Sequence, residues 1–222
     1  MEVTEAIKQR KSIRAFKPDP VPKDVLYDII EQALRAPSWA NTQPWEFMVV
    51  SGQPLKEIQD GFMKRGMQDP SSEVDRPYEF PEPYMARIRA LAPKGREQMT
   101  EKEMKERMLI NFRHYGASTC IFLLVDKSIL QQSKGINVWS MYDSGSAVQN
   151  LMLLATDRGL GTIAQAQAVI YPDIIRKVVK VPESKLIALG IAIGYPDWDD
   201  PAIGNRTQRD PVDKVVTWYG FD

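Results

Sequence analysis

The sequence has few of the residues on which most protein-borne catalytic and metal sites depend. It contains one cysteine and one histidine among 222 residues. A single cysteine excludes an intramolecular disulfide framework and any multi-cysteine metal site, and it is typical of a reducing compartment. A single histidine excludes a histidine-rich metal site, and we predict no metal centre. If the protein is an enzyme, a cofactor has to supply the chemistry.

Two further absences limit the possible partners. Lysine plus arginine and aspartate plus glutamate are equal, at 29 each, so no global electric field attracts nucleic acid. No apolar run approaches the ~20 residues that span a bilayer, and the N-terminal segment lacks the apolar core of a signal peptide. We therefore expect a soluble, cytoplasmic protein that binds neither nucleic acid nor membrane.

The lone cysteine and the lone histidine both lie in contexts that indicate structural roles. Cys120 begins the apolar run Cys-Ile-Phe-Leu-Leu-Val, which predicts a buried strand. His114 lies at a charged helix end with no nucleophile motif nearby. The sequence also contains neither a Walker loop nor a dinucleotide-binding glycine fingerprint. We predict no catalytic side chain.

Apolar periodicity predicts helices that alternate with a few strands. The predicted helices cover residues 4–10, with Thr4 as the cap, then 22–36, 54–64, 101–113, 141–158 and 172–180. The predicted strands are 45–50, 120–125 and 186–193, and residues 162–168 are predicted as a loop or short strand. Such alternation is typical of an α+β domain with helix layers on both sides of a sheet, here a single domain over residues 1–222.

Two long segments lack clear periodicity. Residues 66–113 begin with prolines interleaved with charges and with the aromatic residues Tyr78, Phe80 and Tyr84, before the predicted helix 101–113. An irregular segment of this length is typical of a functional lid or of a disordered region. Its aromatic residues favour a lid that packs against another surface. Residues 196–222 form a polar, proline-containing C-terminal tail.

The first candidate binding motif is basic. Arg10-Lys11-Ser12-Ile13-Arg14 gathers fixed positive charge around a hydroxyl, which suits a phosphate or another anion. Arg206 and Arg209 form a second cationic pair near the C-terminus, where Pro211 restrains the backbone. A solvated basic helix end and ordinary surface arginines explain the same residues when each group is considered alone.

The second candidate motif is the connection Ala36-Pro37-Ser38-Trp39-Ala40-Asn41-Thr42-Gln43-Pro44-Trp45. Serine, asparagine and proline are ordinary turn residues between a helix and a strand. The two tryptophans and the glutamine exceed what a turn needs, because an indole can cover a ring face and an amide can bond both edges of a pyrimidine-like ring. The motif therefore favours a flat heteroaromatic ligand with polar edges.

The order of the motifs along the chain is more specific than any one of them. The basic segment is followed by Ala-Pro-Ser…Asn-x-Gln-Pro-Trp, a long helix ending in Gly-Leu-Gly-Thr, the strand Ile-Ala-Leu-Gly-Ile-Ala-Ile-Gly and an arginine-bearing tail. That order resembles the nitroreductase family from end to end. Pro81-Glu-Pro-Tyr84 and the closing Trp218-Tyr-Gly-Phe221 are most similar to the branch that reduces nitroaromatic acids such as nitrobenzoates.

The resemblance implies a three-layer helix–sheet–helix fold with a mostly antiparallel mixed sheet. It also implies a homodimer with FMN at the interface and with the C-terminal tail, residues 196–222, exchanged between subunits. The residues implied to hold the FMN phosphate, ribityl chain and pyrimidine edge are Arg10, Lys11, Ser12 and Arg14, with Arg206 and Arg209 completing the phosphate site. The residues implied to reach the flavin of the partner subunit are Pro37, Ser38, Trp39, Asn41 and Gln43. The Gln165-Ala166 segment, where many members carry Glu-Gly or Gly-Gly, is implied to give a backbone N–H to flavin N5.

The resemblance further implies the reaction. NADH or NADPH reduces FMN by hydride transfer to N5, and a nitroaromatic, a quinone or a similar small aromatic acceptor reoxidises it in a ping-pong cycle. Two other flavin reactions remain open on the same fold. They are reductive dehalogenation, which the Tyr78–Tyr84 part of the lid leaves open, and cleavage of the flavin itself. A non-catalytic flavin-binding protein is the third alternative.

Overall fold

A four-stranded antiparallel sheet forms the centre of the protein. The computed structural model describes residues 1–75, 79–91, 100–133, 135–204 and 206–221. The strands of this sheet are β1 Trp45–Ser51, β2 Thr119–Asp126, β5 Gly161–Gln165 and β6 Lys185–Gly194, in the order β1-β2-β6-β5. A separate two-stranded ribbon pairs β3 Gln131–Gln132 with β4 Gly135–Ile136. The strand order leaves one side of β5 as an edge of the sheet.

Helices cover both faces of this sheet. Their bounds are α1 Val3–Gln9, α2 Lys23–Ala33, α3 Gly52–Arg65, α4 Tyr84–Ala90, α5 Glu101–Phe112, α6 Lys127–Leu130, α7 Val138–Asp157 and α8 Pro172–Val178. On one face α2 packs against α7, and on the other α3 packs against α8 and α5. Across the part of the chain that the structure describes, no helix combines the length and the apolar character needed to cross a membrane.

Two apolar cores hold the three layers together. In the first, Ile29 of α2 and Leu151 of α7 are completely buried in one cluster with Ile191 of β6. In the second, the buried rings of Phe62 and Tyr171 meet edge to face with centroids 5.2 Å apart. Burying a large apolar side chain contributes roughly 1.5–3 kcal/mol, so these clusters dominate the stability of the layers. The predicted α+β helix–sheet–helix fold with an antiparallel sheet is confirmed.

The predicted elements are present, but several of their ends differ. The helix predicted to start at residue 141 begins at Val138, because Asn137 caps it by accepting the Trp139 N–H at 3.1 Å. Residues 162–168 divide between β5 and a short 3-10 helix, Ala166–Val169. The prediction that Thr4 caps the first helix is wrong. That helix begins at Val3, because the Glu2 carbonyl already accepts the first helical N–H groups.

The beginning of the lid is anchored to the sheet. The Glu73 carboxylate accepts hydrogen bonds from Nε of Arg176 at 2.9 Å and from the backbone N–H of Ile187 in β6 at 2.7 Å. The lid itself contains α4, a helix that the irregular sequence pattern does not indicate. Val74 of the lid packs against the first apolar core, whereas none of the α4 side chains is buried by the described chain. Tyr78 of the predicted lid lies outside the described residues.

Candidate cofactor site

Three arginine side chains from the two ends of the chain converge beside the end of α1. Arg10 directly follows α1 and is half-buried. The Arg206 guanidinium donates to the Gln9 carbonyl at 2.7 Å, which docks the tail against α1. Arg209 donates to the carbonyl and hydroxyl oxygens of Thr207, at 3.3 and 2.8 Å, so its own loop orients it. The tail thereby brings two cations to Arg10.

The three guanidinium groups are close enough to perturb one another. Burial is the main cause that lowers the pKa of Arg10, and repulsion from Arg209 and then from Arg206 lowers this pKa further. None of the three forms an ion pair with a carboxylate of the described residues. A bound anion removes this repulsion and accepts charge-assisted hydrogen bonds, each worth about 1.5–3 kcal/mol. The cluster is therefore suited to a phosphate.

The remaining polar residues of the basic motif have different surroundings. Lys11 donates to the Gly204 carbonyl at 3.1 Å and lies over the ring of Trp198 at 5.4 Å, so it braces the tail. Ser12 is half-buried and forms an isolated parallel bridge with the start of β5. Arg14 is exposed and makes no hydrogen bond or ion pair with a described residue. The basic motif thus contributes the Arg10 guanidinium to the cluster, and its Ser12 attaches the motif to the sheet.

The free edge of β5 continues from the bridge made by Ser12. The Thr162 carbonyl accepts the Ile13 N–H at 3.0 Å, so the backbone groups of Thr162 point away from β6. Backbone groups alternate in direction along a strand, so the N–H groups of Ala164 and Ala166 point to the same edge. Both alanines are exposed. The edge from Thr162 to Ala166 therefore forms a flat strip that begins at the bridge with Ser12. The strip is about 13 Å long, at about 3.3 Å per residue.

Gly161 is the position where both ends of the chain cross β5. A Cβ atom there would lie 2.6 Å from Cγ1 of Ile13 and 2.9 Å from Cγ of Pro196. Because neither neighbour is a flexible chain end, a larger residue would displace the N-terminal segment or the start of the tail. The arginine cluster depends on both segments, so its geometry depends on this glycine.

Gln165 turns its side chain into the protein between the two exposed alanines. It is 4 % exposed, and its Nε2 donates to the carbonyl and to Oδ1 of Asn111, at 3.2 and 3.0 Å. Oε1 of Gln165 and Oγ1 of Thr162 are buried without a hydrogen-bond partner in the described ranges. The end of β5 is therefore attached to the last turn of α5 by the nitrogen of one amide.

The connection between α2 and β1 has a locally strained backbone. Its non-glycine residues with positive φ are Ala40 at 45°, Asn41 at 59° and Gln43 at 45°. Such conformations cost of order 1–3 kcal/mol each, which other contacts must offset. The Ser38 hydroxyl accepts the Gln43 N–H at 3.0 Å, and the buried Asp143 carboxylate accepts the Trp39 N–H at 2.9 Å. These bonds give the loop its shape without a ligand.

An exposed aromatic group surrounds this loop. Trp39 is 65 % exposed, and its ring centroid lies 5.8 Å from that of Trp139, which in turn contacts Tyr142 at 5.9 Å. The sequence interpretation missed Trp139, Tyr142 and Asp143 as neighbours of the loop. Their spacing of three and four residues places them on one face of α7, but a helix start at Met141 does not include the first of them.

The structure does not bring the two predicted motifs together within one chain. The Trp39 loop contacts the first turns of α7 through Asp143, whereas the N-terminal amine pairs with Asp157 at the other end of that helix. These two positions on α7 are about 20 Å apart, at 1.5 Å per residue. The predicted residues at the β5 end are Arg10, Lys11, Ser12, Arg14, Gln165, Ala166, Arg206 and Arg209. Those at the other end are Pro37, Ser38, Trp39, Asn41 and Gln43.

His114 is a buried residue beside Gln165 and Asn111. Its Nδ1 lies 3.5 Å from the Asn111 carbonyl, and its Nε2 has no hydrogen-bond partner in the described part of the chain. Burial lowers the pKa of His114 to about 4, so the ring is neutral near pH 7. Its φ of 53° lies in the left-handed region. The buried setting agrees with the predicted structural role.

The lid and the tail expose apolar surface. Arg87 of α4 pairs with Asp210 of the tail and lies over the Tyr84 ring at 5.4 Å. Beyond that contact, Tyr219 is 85 % and Phe221 76 % exposed. Aromatic side chains this exposed along one segment are typical of a surface that another molecule covers.

An arginine cluster at the free edge of an antiparallel sheet is an arrangement that binds a phosphorylated cofactor. The chain belongs to the Nitroreductase family, whose family model matches residues 7–195. A 4-nitrobenzoate reductase of Nocardioides sp. (strain LMS-CY) is 28% identical over 226 residues, covering 97% of this chain and 89% of that protein. The nitroreductase NfnB of Mycolicibacterium smegmatis is 30% identical over 213 residues, covering 91% and 86%.

Solved structures agree with this assignment. The FMN- and NADPH-dependent nitroreductase NfnB from sphigopyxis sp. strain HMH has a TM-score of 0.88 and 27% identity, with both chains covered fully. The FMN-dependent nitroreductase NfnB from Mycobacterium smegmatis, in complex with NADPH, has a TM-score of 0.86 and 25% identity, with 98% of each chain covered. The fold thus extends over the lid and the tail as well as the sheet.

Proposed function

We propose that the protein is an FMN-dependent oxidoreductase that transfers electrons from NADH or NADPH to nitroaromatic, quinone or similar acceptors by a ping-pong mechanism. The observation that carries the proposal is the cluster of Arg10, Arg206 and Arg209, which lacks a described carboxylate partner and adjoins the free edge of β5. Family membership and the nitrobenzoate reductase among the relatives support the reaction class.

The residues present fit FMN at both of its ends. The arginine cluster and the Ser12 hydroxyl would donate hydrogen bonds to the phosphate. Lys11 and Arg14 would add positive charge beside it. The flat ring end meets the strip of β5, where the small side chains of Ala164 and Ala166 leave room for a planar ligand. The outward N–H of Ala166 is then a hydrogen-bond donor for the ring edge, in the Gln165-Ala166 segment to which we assign the N5 contact.

The second wall of the site comes from a partner subunit in this proposal. The Trp39 loop contacts α7 at Asp143, about 20 Å along that helix from the Asp157 contact of the N-terminal amine. No hydrogen bond, ion pair or ring contact among the described residues joins this loop to the arginine cluster of its own chain. In a homodimer, Pro37, Ser38, Trp39, Asn41 and Gln43 of one subunit cover the flavin held by the other. The exposed Trp39 ring and the preformed loop support this assignment.

When bound, FMN would supply the hydride and electron transfer. The protein orients the ring on β5, excludes water with the aromatic residues of the loop, and directs the Ala166 N–H to the ring edge. Preorganised donors at the ring edge would also stabilise negative charge that develops on the ring during reduction, because they need no rearrangement.

The first test of this proposal is catalytic turnover. In the absence of dioxygen, the protein loaded with FMN should oxidise NADH or NADPH beyond one equivalent only when an acceptor such as 4-nitrobenzoate is added. Double-reciprocal plots at several acceptor concentrations should be parallel, because a ping-pong cycle has no ternary complex. The loss of nicotinamide absorbance, with identification of the reduced product, measures both.

A panel of acceptors separates the proposed function from its alternatives. Turnover with a quinone as well as 4-nitrobenzoate supports the proposal, whereas loss of halide from a halogenated tyrosine as the only reaction identifies a dehalogenase. Destruction of the flavin ring identifies a flavin-cleaving enzyme. Bound flavin that neither nicotinamide reduces identifies a non-catalytic flavin-binding protein and contradicts the proposal.

A second test concerns the tail. Deleting residues 212–222 should convert a dimer into a monomer and weaken FMN retention, although Arg206 and Arg209 remain. The reason is that the apolar side chains of this segment are exposed on one chain and need a partner surface. Sedimentation analysis and flavin fluorescence measure the two effects.

Point variants control for damage to the fold. Tyr219→Ser in the tail should weaken the dimer, whereas Tyr27→Ser, at another exposed tyrosine on α2, should not. A dimer of unchanged stability after both the deletion and Tyr219→Ser would show that the tail does not hold the subunits together.

A further inference from the structure

The direction of the Ala166 N–H is set by the residue before it. Gln165 is extended, with φ −132° and ψ 112°, and the 3-10 helix begins directly afterwards. Because ψ of one residue orients the next peptide plane, a small rotation at Gln165 turns the Ala166 N–H away from the sheet edge. The end of a strand is where such a rotation is easiest, since the register with β6 stops at the pair of Gln165 with Gly190.

The Gln165 side chain supplies the restraint that the backbone lacks at this point. Its Nε2 donates to two acceptors of one residue, the carbonyl and Oδ1 of Asn111, at 3.2 and 3.0 Å. A backbone carbonyl can only accept, so the amide nitrogen must face Asn111. Both amide hydrogens are then used, and the 4 % exposed side chain is held in one orientation.

We propose that Asn111 is a positioning residue for the flavin ring. By accepting both N–H groups of the Gln165 amide, it holds the end of β5 extended and keeps the Ala166 N–H directed to the open edge. This inference rests on the proposed FMN site, because the N–H matters only if the ring lies there. Asn111 itself acts through Gln165 and does not contact the ring.

The same geometry requires an amide at position 165. A carboxylate there would present two acceptors to the two acceptors of Asn111, and a buried, unpaired charge costs several kcal/mol. Gln165→Glu should therefore destabilise the protein near pH 7 and regain stability as the pH falls and the new carboxyl group becomes a donor. In this pair Gln165 is thus the donor and Asn111 the acceptor.

The test compares Asn111→Leu with Asn111→Asp in the FMN-loaded protein. Leucine removes the side-chain acceptor, whereas aspartate retains it and should rescue the wild-type behaviour. For Asn111→Leu we expect a shifted midpoint potential of the bound flavin, because N5 accepts the Ala166 N–H in the oxidised ring and itself carries a hydrogen in the reduced ring. Flavin reduction by NADPH should slow about tenfold, the effect of one well-placed hydrogen bond, with FMN affinity within about twofold.

Gln59→Leu is the matched control. Its Nε2 donates to the Arg113 carbonyl at 3.2 Å, at the same end of α5, but the bond does not involve β5. If Asn111→Leu does not fold, Asn111→Ala makes the same comparison with a smaller change. A midpoint potential equal in wild type, Gln59→Leu and the folded Asn111 variant would overturn the inference while the FMN site stands. A wild-type protein that binds no FMN would instead overturn the proposed function.

Discussion

Replacing Arg10 and Arg209 together with alanine should leave the protein unable to retain FMN. Each guanidinium in the proposed phosphate site contributes a charge-assisted hydrogen bond worth about 1.5–3 kcal/mol, which corresponds to roughly 10- to 150-fold in affinity. The two losses share one phosphate and need not add, so we expect about a hundredfold or more for the double variant. Titration of flavin fluorescence against the apoprotein measures the dissociation constant.

Stability without the cofactor provides an independent check on the same variants. Burial, and then repulsion from Arg209 and Arg206, lowers the pKa of Arg10, so removing one of these charges relieves repulsion in the apoprotein. The apo variants should melt no lower than apo wild type, while the increase in melting temperature on adding FMN should disappear. A Lys64→Ala variant controls for net charge, because Lys64 is an exposed residue of α3. Equal FMN affinity in wild type and in both single variants would place the phosphate elsewhere.

The free energy of unfolding should fall by about 3 kcal/mol between pH 6.5 and pH 4 because of His114. Its pKa lies at the ordinary value of 6.5 in the unfolded chain and at about 4 in the folded protein. The unfolded state therefore binds more protons in this window, so the stabilisation is complete above pH 6.5 and is lost as the pH falls through 4. Each pKa unit corresponds to 1.36 kcal/mol.

A histidine replacement isolates this effect. His114→Asn suits the position, because asparagine tolerates a positive φ, and it should flatten the pH dependence of stability between pH 7 and pH 4.5. Asp126, whose side chain bonds to Ser128 and Lys185 and has its pKa lowered to about 2, acts in a more acidic range. Denaturant titrations at a series of pH values measure the difference. Parallel stability curves for wild type and His114→Asn would contradict the assignment.

The sheet was predictable because its strands carry an unambiguous apolar signal. β2 is buried along almost its whole length, and β6 along most of it, so their sequences are apolar on both faces. The helix α4 was not predictable, since no residue of Tyr84–Ala90 is buried and no apolar stripe points to a core. An apolar sequence pattern indicates which residues are buried within the chain, and α4 has no buried residue to produce such a pattern.

The placement of the two binding motifs could not be predicted from their order alone. Residues 10–14 and 36–45 are close in sequence, but the loop contacts the first turns of α7 at Asp143, whereas Ser12 pairs with Thr162 of β5. That separation depends on which end of a 20-residue helix each loop contacts, and local residue preferences carry no such information. The Asn111–Gln165 pair could not be predicted from the sequence either, because only the tertiary fold brings these two residues together.

The crossing of both chain ends at Gly161 has a consequence for biosynthesis. The arginine cluster needs both Arg10 and Arg209, which are separated by almost 200 positions, so Arg209 is synthesised long after Arg10. Contacts between residues so distant in sequence form late, after the loop between them has closed. A nascent chain can thus complete its strands and helices up to β6 while having no functional phosphate site. In the proposed site, uptake of the cofactor therefore has to wait until the tail has docked beside α1.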